Sequence, residues 1–427
     1  MTSLHTRATS LIQRVDALGD EALRIFTRFE ADEILREALA LDARYEERSA
    51  LPLFGLFVSV KDLFDETGKR TTAGSRLFAE RPPACDDADV IYRLKRAGAL
   101  IIGRTSMSEF AYSGVGLNPH HGTPGCIFDR SLIPGGSSSG AALGIAHGLC
   151  DIGLGTDTGG SVRLPAAVNG LYGLKPSQSA VSLSGVHPLS ATYDSVGPLA
   201  PSLALLKRCF QVVRQTENSE VRTTSIDKPL RLAIPEHLFT NDLDESIAAD
   251  FRAIQQQITT AGHRLETVDM SFLDDKLFAI RAIVSAEAHA LYKGSLSLLE
   301  DIGDPHVLSR IRFAESLTEK DLRDAYLARA TAVESFSRAM TGFDALLAPT
   351  IAMQTPTISE TEAQFDRINP TMLRNTAMIN LVDGCALTLP VSSVSGCPTP
   401  AALMICQATA KDDQILAVAD LLDELLN

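Results

Sequence analysis

The order of hydrophobic and polar residues in the first quarter of the chain predicts both helices and strands. Apolar residues recur at helical spacing through 8–29 and 31–47, which predicts packing helices near the N-terminus. The run 53–60 is β-branched and aromatic and predicts a buried strand. A helix over 86–97 and a short strand over 99–102 follow. Such alternation of strands and helices is typical of an α/β protein.

The pattern changes in the second half of the chain. The stretch 177–199 is rich in Ser, Gly and Pro and predicts a loop that closes the core. Strands are predicted at 230–234 and 264–268, on either side of a helix over 244–258. The long segment 272–341 has helical spacing almost throughout. We therefore expect a mainly helical region between two parts of a sheet.

Composition and charge limit the classes of protein to which the chain can belong. With 427 residues, 45% of them hydrophobic, the chain can bury a large core and lacks a disordered signature. A net charge of −14 argues against a nucleic acid or an anionic membrane as the main partner. Residues 1–20 show no secretion signal, and no apolar run approaches the roughly 18 residues of a membrane-spanning helix.

The cysteines and histidines give no sign of a metal site or of a disulfide framework. The seven cysteines are odd in number and scattered without CxxC spacing, which fits a reducing, cytoplasmic location. The nine histidines form no H-E-x-x-H or paired arrangement. We expect neither a metal nor any other cofactor.

Two serine-bearing glycine turns carry the candidate chemistry. The first reads PGGSSSG over 134–140 and the second GTDTGGSVR over 155–163, so that Ser137 and Ser161 stand 24 residues apart. Glycines at such turns admit positive φ angles and bring backbone N–H groups close to a bound ligand. Peptide N–H groups gathered in this way can hold an anion or an oxyanion. The two turns therefore predict an active site.

These turns, together with GLFVSVKD upstream and LPAAVNGLYGLKP downstream, resemble the amidase signature family. That family uses a Ser-cis-Ser-Lys triad. The resemblance implies that Ser161 is the nucleophile, that Ser137 bridges after a cis peptide, and that Lys61 is the base. The match is close over 51–200 and weaker towards the C-terminus.

The resemblance also implies the fold, an α/β architecture with a central mixed β-sheet flanked on both faces by α-helices. It implies a single amidase domain over 1–427. We expect this domain to consist of N-terminal helices (1–50), the signature core (51–200), a variable and mainly helical region (216–341) and a return to the core (342–427). The polar stretch 216–229 is the candidate internal boundary.

The implied chemistry requires a base, because a serine hydroxyl is a poor nucleophile until a neighbour accepts its proton. Lysine can serve if burial keeps it neutral. The backbone N–H groups of the second turn would face the tetrahedral oxyanion. Asp157 and Arg163 flank this turn, and we expect them to hold it by hydrogen bonds rather than to react. The predicted oxyanion donors are Thr158, Gly159, Gly160 and Ser161.

The predicted reaction is hydrolysis of the C–N bond of a small-molecule amide, which releases ammonia or an amine and a carboxylate. Three segments are expected to form the acyl pocket: 110–116, 282–292 and 374–385. Candidate substrate-binding residues are Tyr112, Ser113, Gly114 and Ser138. Nucleic acid and membrane are not expected as partners, and a homodimer is left open.

Other motifs in the chain predict different chemistry. Gly136 to Gly140 satisfies the G-x-S-x-G nucleophile elbow with Ser138 as nucleophile, but the preceding 129–134 is too short and proline-ended for the required strand. Residues 225–228 satisfy S-x-x-K but lack the S-D-N and K-T-G partners of that site. The glycines of 153–159 miss the spacing of a dinucleotide fingerprint. We reject all three.

Three functional alternatives stay open at this point. One is the amidotransferase that acts on glutamyl- or aspartyl-tRNA, whose A chain resembles this family closely. Another is hydrolysis of a urea derivative such as carboxybiuret. A third is a catalytically inactive binding scaffold. A loop histidine such as His187 is the alternative to Lys61 as base.

Overall fold

A mixed sheet runs through the whole computed structural model, which describes residues 3–215 and 229–427. Most of the predicted boundary at 216–229, and the whole S-x-x-K motif at 225–228, lie outside the described residues. The eleven strands of the described residues are β1 (Phe26–Arg28), β2 (Phe57–Lys61), β3 (Leu100–Thr105), β4 (Ile152–Asp157), β5 (Tyr172–Lys175), β6 (Ser195–Ala200), β7 (Arg231–Pro235), β8 (Arg264–Val268), β9 (Ala345–Pro349), β10 (Cys385–Val391) and β11 (Ala401–Gln407).

Fifteen α-helices of the described residues surround this sheet. They are α1 (Leu4–Leu18), α2 (Asp20–Ile25), α3 (Ala31–Asp42), α4 (Asp89–Arg96), α5 (Ser139–Ala146), α6 (Arg163–Val168), α7 (Leu203–Val213), α8 (Glu245–Thr260), α9 (Leu277–Tyr292), α10 (Leu296–Ile302), α11 (Pro305–Arg312), α12 (Glu319–Ala339), α13 (Ile358–Ala363), α14 (Phe365–Leu381) and α15 (Asp412–Leu426). The mainly helical character expected of 272–341 is seen in α9 to α12.

The order of strands across the sheet is β1-β3-β2-β4-β6-β5-β10-β11-β9-β7-β8. Neighbours β3, β2 and β4 are parallel, as are β9, β7 and β8 at the other end. The strands between them pair antiparallel. The sheet is therefore mixed, and the predicted α/β class with helices about a central mixed sheet is confirmed. The division of the chain into domains stays a prediction.

Side chains alternate between the two faces of the sheet, as the period of a strand requires. Along β2, Phe57 belongs to a core cluster with α1, α2 and α5, whereas Val58 and Val60 belong to a larger cluster on the opposite face. Neighbouring β3 repeats this alternation with Leu100 and Ile101. Both faces are covered, which explains why these strands read as continuous apolar runs.

Two predicted elements differ from the structure. The helical pattern of 8–29 is broken at Gly19, where φ is 55°, and its last residues form the short edge strand β1. The predicted loop 177–199 was wrong in its last part, because β6 lies between β4 and β5 in the middle of the sheet. At Gly197 a Cβ atom would lie 1.9 Å from the carbonyl oxygen of Leu174. Glycine is needed in this strand for close packing and not for a turn.

The carboxyl ends of the parallel strands β2 and β4 lie side by side, with Val60 paired to Leu154. Lys61 ends the first strand and Asp157 the second. The buried Arg104 of the neighbouring strand β3 donates to Asp62 at 2.7 Å. This bond fixes the side chain of the residue that follows Lys61. Loops that follow such neighbouring ends commonly form ligand sites in α/β sheets. No helix in the described part of the chain has the length and apolar character needed to cross a membrane.

Candidate active site

Lys61 is the buried cation at the end of β2. Its side chain is fully inaccessible to solvent, and its Nζ donates to Ser137 Oγ at 2.7 Å and to Thr156 Oγ1 at 2.9 Å. No carboxylate among the described residues lies within 4 Å of this nitrogen. Lys61 and Ser137, which are 76 positions apart in the sequence, are therefore brought into direct contact.

The Ser137 turn has an unusual backbone. The Gly136–Ser137 peptide is cis, as the resemblance implied. The N–H of Gly136 donates to the carbonyl of Gly114 at 2.8 Å, and the carbonyl of Ser137 accepts from Ser108 N at 3.3 Å. These bonds fix the turn just before α5 begins at Ser139. The Ser137 hydroxyl is thereby aimed at Lys61.

Burial changes the charge state of Lys61. Loss of solvation lowers the pKa of the ammonium from its usual 10.5 to about 7, although the charges of Asp194 and Asp157 oppose this shift. A substantial fraction of Lys61 is therefore neutral near pH 7. A neutral amine in contact with a hydroxyl can accept its proton.

Ser161 lies in the second glycine turn, between β4 and α6. Its carbonyl accepts from Ser138 N at 3.1 Å, which joins the two turns. Its hydroxyl makes no hydrogen bond with any described residue, so Ser137 and Ser161 are not joined by a side-chain hydrogen bond in this structure. Hydrogen bonds between catalytic groups are often long before substrate binds. The preceding Gly160 has φ of 139°, and a Cβ there would lie 2.2 Å from Thr376 Oγ1.

Asp157 and Arg163 hold this turn, as expected. Arg163 Nη2 and Nε donate to the two oxygens of Asp157 at 2.9 and 3.0 Å, and the same carboxylate accepts from Gly160 N at 2.8 Å. Burial would raise the pKa of Asp157, but the charge of Arg163 and its hydrogen bonds outweigh this and lower it to about 2. Asn380 of α14 also donates to Asp157, at 3.0 Å. Asp157 is a fixed acceptor rather than a proton carrier.

The backbone N–H groups of the turn divide into two kinds. That of Gly160 is already bonded to Asp157, so we remove Gly160 from the predicted oxyanion donors. Those of Thr158, Gly159 and Ser161 have no acceptor among the described residues, so all three stay predicted donors. The carbonyl of Gly159 accepts from Thr376 Oγ1 at 2.7 Å, so Thr376 and Asp157 together fix the Gly159–Gly160 peptide that lies between the N–H groups of Gly159 and Ser161.

Thr158 adds a link that the sequence analysis missed. Its hydroxyl donates to Asp194, whose other oxygen accepts from Leu189 N and Ser190 N. Burial raises the pKa of Asp194 above its usual value, although these hydrogen bonds and the charge of Lys61 oppose the shift. Asp194 is separated from Lys61 by 133 positions, and no local pattern marks it as part of the site. Like Thr376, it was not recognisable from the sequence.

The four candidate substrate-binding residues have different surroundings. The carbonyl of Gly114 contacts the cis-peptide turn, while its N–H donates to Asn369 Oδ1 at 2.8 Å. Ser113 Oγ donates to the same oxygen at 3.3 Å. Tyr112 is buried, with the guanidinium of Arg310 4.4 Å from its ring centre. Ser138 is fully buried and its hydroxyl donates to the carbonyl of Thr156, so we drop it as a substrate-binding residue.

The loop histidine proposed as an alternative base is engaged elsewhere. The two ring nitrogens of His187 contact Tyr292 Oη at 2.9 Å and Arg81 Nη1 at 3.3 Å. Burial lowers its pKa to about 4, and the charge of Arg81 adds to this effect. His187 has no contact with Lys61, Ser137 or Ser161. The geometry therefore favours Lys61 as the base.

Within residues 3–215 and 229–427, no group of three or more His, Cys, Asp or Glu side chains could hold a metal ion. We therefore expect EDTA to leave the predicted amide hydrolysis unchanged. Activity should be measured after prolonged dialysis against chelator, beside a sample to which Zn²⁺ is then returned. Loss of activity on dialysis, with recovery on adding the metal, would contradict this prediction.

Comparison with known proteins assigns the chain to a family. A family model described as Amidase matches residues 8–416. A 2-amino-5-chloromuconic acid deaminase of Comamonas testosteroni is 33% identical over 83% of this chain and 78% of its own. The A chain of the glutamyl-tRNA(Gln) amidotransferase of Symbiobacterium thermophilum is 30% identical over 96% and 91%. A urea amidolyase of Lachancea kluyveri is 32% identical over 80% of this chain, which spans only 19% of that protein.

A solved structure agrees with these sequence matches. A crystal structure of an amidase superposes with a TM-score of 0.89 and 28% identity, and the match covers 100% of this chain and 97% of the other. The fold, the family match over almost the whole chain and the relatives therefore agree. The chain belongs to the amidase signature family and is an enzyme that acts on C–N bonds.

Proposed function

We propose that this enzyme hydrolyses a small-molecule amide through an acyl-enzyme on Ser161, with Ser137 and Lys61 as the proton relay. The observation that carries the proposal is the 2.7 Å contact between Lys61 Nζ and Ser137 Oγ in a fully buried site. The pKa of Lys61, about 7, leaves part of this lysine neutral near pH 7. As a base it is matched to catalysis near neutral pH.

In acylation, Ser161 Oγ attacks the amide carbonyl while its proton passes to Ser137, and the proton of Ser137 passes to Lys61. The carbonyl oxygen becomes an oxyanion that accepts hydrogen bonds from N–H groups among those of Thr158, Gly159 and Ser161. When the tetrahedral intermediate collapses, the C–N bond breaks. The relay returns a proton to the leaving nitrogen, which departs as ammonia or an amine.

In deacylation, water attacks the ester carbon and gives its proton to the same relay. A second oxyanion forms in the same place. Its collapse breaks the bond between the acyl carbon and Ser161 Oγ, which takes back a proton from the relay. The carboxylic acid that leaves then ionises to the carboxylate. The two halves use one set of groups, so the charge of the relay is the same at the start and at the end.

Thr376 offers a test of the oxyanion assignment. Thr376→Val keeps the shape of the side chain but removes the hydrogen bond to the Gly159 carbonyl, so the Gly159–Gly160 peptide, which lies between the N–H groups of Gly159 and Ser161, is held only by the bond from Gly160 N to Asp157. We expect kcat to fall by about tenfold while KM changes little, because a misplaced oxyanion donor weakens the transition state and not substrate binding.

The matched control for this variant is Thr361→Val. Thr361 is equally buried and donates to a backbone carbonyl at 2.7 Å, but it lies on α13 and has no contact with the glycine turns. We expect Thr361→Val to leave kcat within about twofold of wild type. Equal losses in both variants would show a general effect on stability and would contradict the role given to Thr376.

A panel of amides, with ammonia release as the readout, tests the proposed function against its alternatives. We expect hydrolysis by the isolated chain, without any added partner protein. Ammonia release from glutamine that required partner proteins would favour the amidotransferase alternative, and activity confined to carboxylated ureas would favour the urea-derivative alternative. We also propose a cytoplasmic location, which cell fractionation tests. Light scattering distinguishes a monomer from a homodimer.

A further inference from the structure

Arg310, on α11, is a cation without an acidic partner. No carboxylate among the described residues lies within 4 Å of its guanidinium, and its Nε is buried with no hydrogen-bond acceptor. The guanidinium lies over the ring of Tyr112, 4.4 Å from its centre. Arg310 is only partly buried, but removing any charge from water without a counter-ion is costly, so a guanidinium in such a place is a candidate to bind an anionic ligand.

The surroundings of Arg310 add positive potential. Burial lowers its pKa, and the nearby cation Arg281 acts in the same direction, whereas Tyr112 and the carboxylate of Asp366 oppose them. Arg281 likewise has no acidic partner within 4 Å among the described residues, and its guanidinium stacks on Phe313. Two neighbouring cations without salt bridges stand out in a chain whose net charge is −14.

One face of α14 extends from the oxyanion turn to α11, the helix that carries Arg310. A Cβ at Gly159 would lie 3.7 Å from Leu373, and one at Gly114 would lie 2.7 Å from the same side chain. Asn369 lies one turn earlier on the same face and binds Gly114 N. One turn earlier again, Phe365 stacks on His306 of α11 at 4.1 Å between ring centres. Arg310 follows His306 by one helical turn.

Asn369 supplies a second unpaired group along this face. Its side chain is fully buried, and its Oδ1 accepts from Gly114 N, but its Nδ2 has no acceptor. A buried amide N–H without a partner costs stability unless a ligand supplies the acceptor. From Leu373 to Phe365 the helix rises by about 12 Å. Asn369 lies halfway along this stretch, about 6 Å from Leu373, which borders Gly159 of the oxyanion turn.

We propose that Arg310, which packs on Tyr112, binds a carboxylate at the far end of the substrate, with the unpaired Nδ2 of Asn369 as a further donor to the substrate, so that the preferred substrate is an amide carrying an anionic group. The guanidinium presents a planar pair of N–H donors that matches the two oxygens of a carboxylate. This inference rests on the proposed function, since it names the substrate class for the Ser161 site. Tyr112 supports the guanidinium and gives the predicted substrate-binding residue a concrete role.

The test compares two series of amides with wild type. One series is the monoamides of linear dicarboxylic acids from succinate to sebacate, and the other is the amides of the same length that end in a hydroxyl group. We expect kcat/KM to favour the carboxylate by at least about tenfold at the best chain length. In Arg310→Met this preference should fall to about threefold or less, mostly through KM, while hydrolysis of the hydroxyl series is retained.

Arg281→Met is the matched control, because it removes the neighbouring exposed cation, which adds positive potential but no proposed contact, and it should lower the preference much less than Arg310→Met does. If Arg310→Met does not fold, Arg310→Gln provides the same measurement with a polar side chain. Equal rates for both series in wild type, or a preference that persists in the Arg310 variants, would overturn the proposal while leaving the amidase function intact. Failure of wild type to hydrolyse either series, together with no labelling of Ser161 by a fluorophosphonate, would instead overturn the proposed function.

Discussion

Replacing Ser161 with alanine is expected to abolish formation of the acyl-enzyme and to lower kcat by about 10⁶-fold, the scale of loss when a nucleophilic serine is removed. The fold should be unaffected. The Ser161 hydroxyl makes no hydrogen bond with a described residue, so its removal leaves no buried partner unsatisfied. The thermal midpoint should therefore stay within a few degrees of wild type.

The measurement is labelling by a fluorophosphonate followed by mass spectrometry of the modified peptide. We expect the adduct on Ser161 in wild type and none in Ser161→Ala. Ser138→Ala is the matched control, because Ser138 is close in space but its hydroxyl is directed to the Thr156 carbonyl. It should keep labelling. An adduct on Ser137 or Ser138 in wild type would contradict the assignment of the nucleophile.

Sequence patterns predicted the strand that carries Lys61 and one edge strand of the sheet, because both are short runs rich in residues that favour strands. The strand expected at 53–60 was found at Phe57–Lys61, and Arg264–Val268 has the predicted bounds. The central strand β6 was missed because it contains Gly197 and Pro198. Both residues read as turn formers, yet Gly197 is required by the close approach of the Leu174 carbonyl.

The site itself was predictable only in part. The resemblance pointed to Lys61, Ser137 and Ser161, and the structure places Lys61 against Ser137. Their separation along the chain exceeds any periodicity, so patterning alone could not have joined them. Thr376 and Asn380 act on the glycine turns from a helix more than 200 positions away. Such contacts depend on tertiary packing and leave no local signal.

Lys61→Met is the second large prediction. We expect kcat/KM of wild type to rise with pH around a midpoint near 7, because only the neutral lysine accepts the proton from Ser137. Methionine fills the space but cannot act as a base, so activity should fall by roughly 10²–10⁴-fold and this rise should disappear. Lys61→Arg should be equally inactive, because a guanidinium does not lose its proton.

A suitable control is Lys175→Met. Lys175 is just as buried, and burial also lowers its pKa, but it donates to the carbonyls of Pro176 and Gly384 and not to a serine. We expect this variant to be less stable, because two carbonyls lose their donor, yet to keep the midpoint of the pH profile. A profile that survived in Lys61→Met with more than a tenth of the activity would show that another group is the base.

Stability gives an independent test of the same lysine. Its pKa is near 10.5 when unfolded and about 7 when folded, so between these values the unfolded chain binds more protons and stability rises with pH. The charge of Lys61 costs on the order of 4–5 kcal/mol at pH 7 and below, and almost nothing above pH 10.5. Lys61→Met removes this dependence. The free energy of unfolding of the variant, relative to wild type, should therefore decline by about 3–4 kcal/mol from pH 7 to pH 10. A difference that stayed constant over this range would mean that Lys61 is charged in the folded enzyme and could not serve as the base.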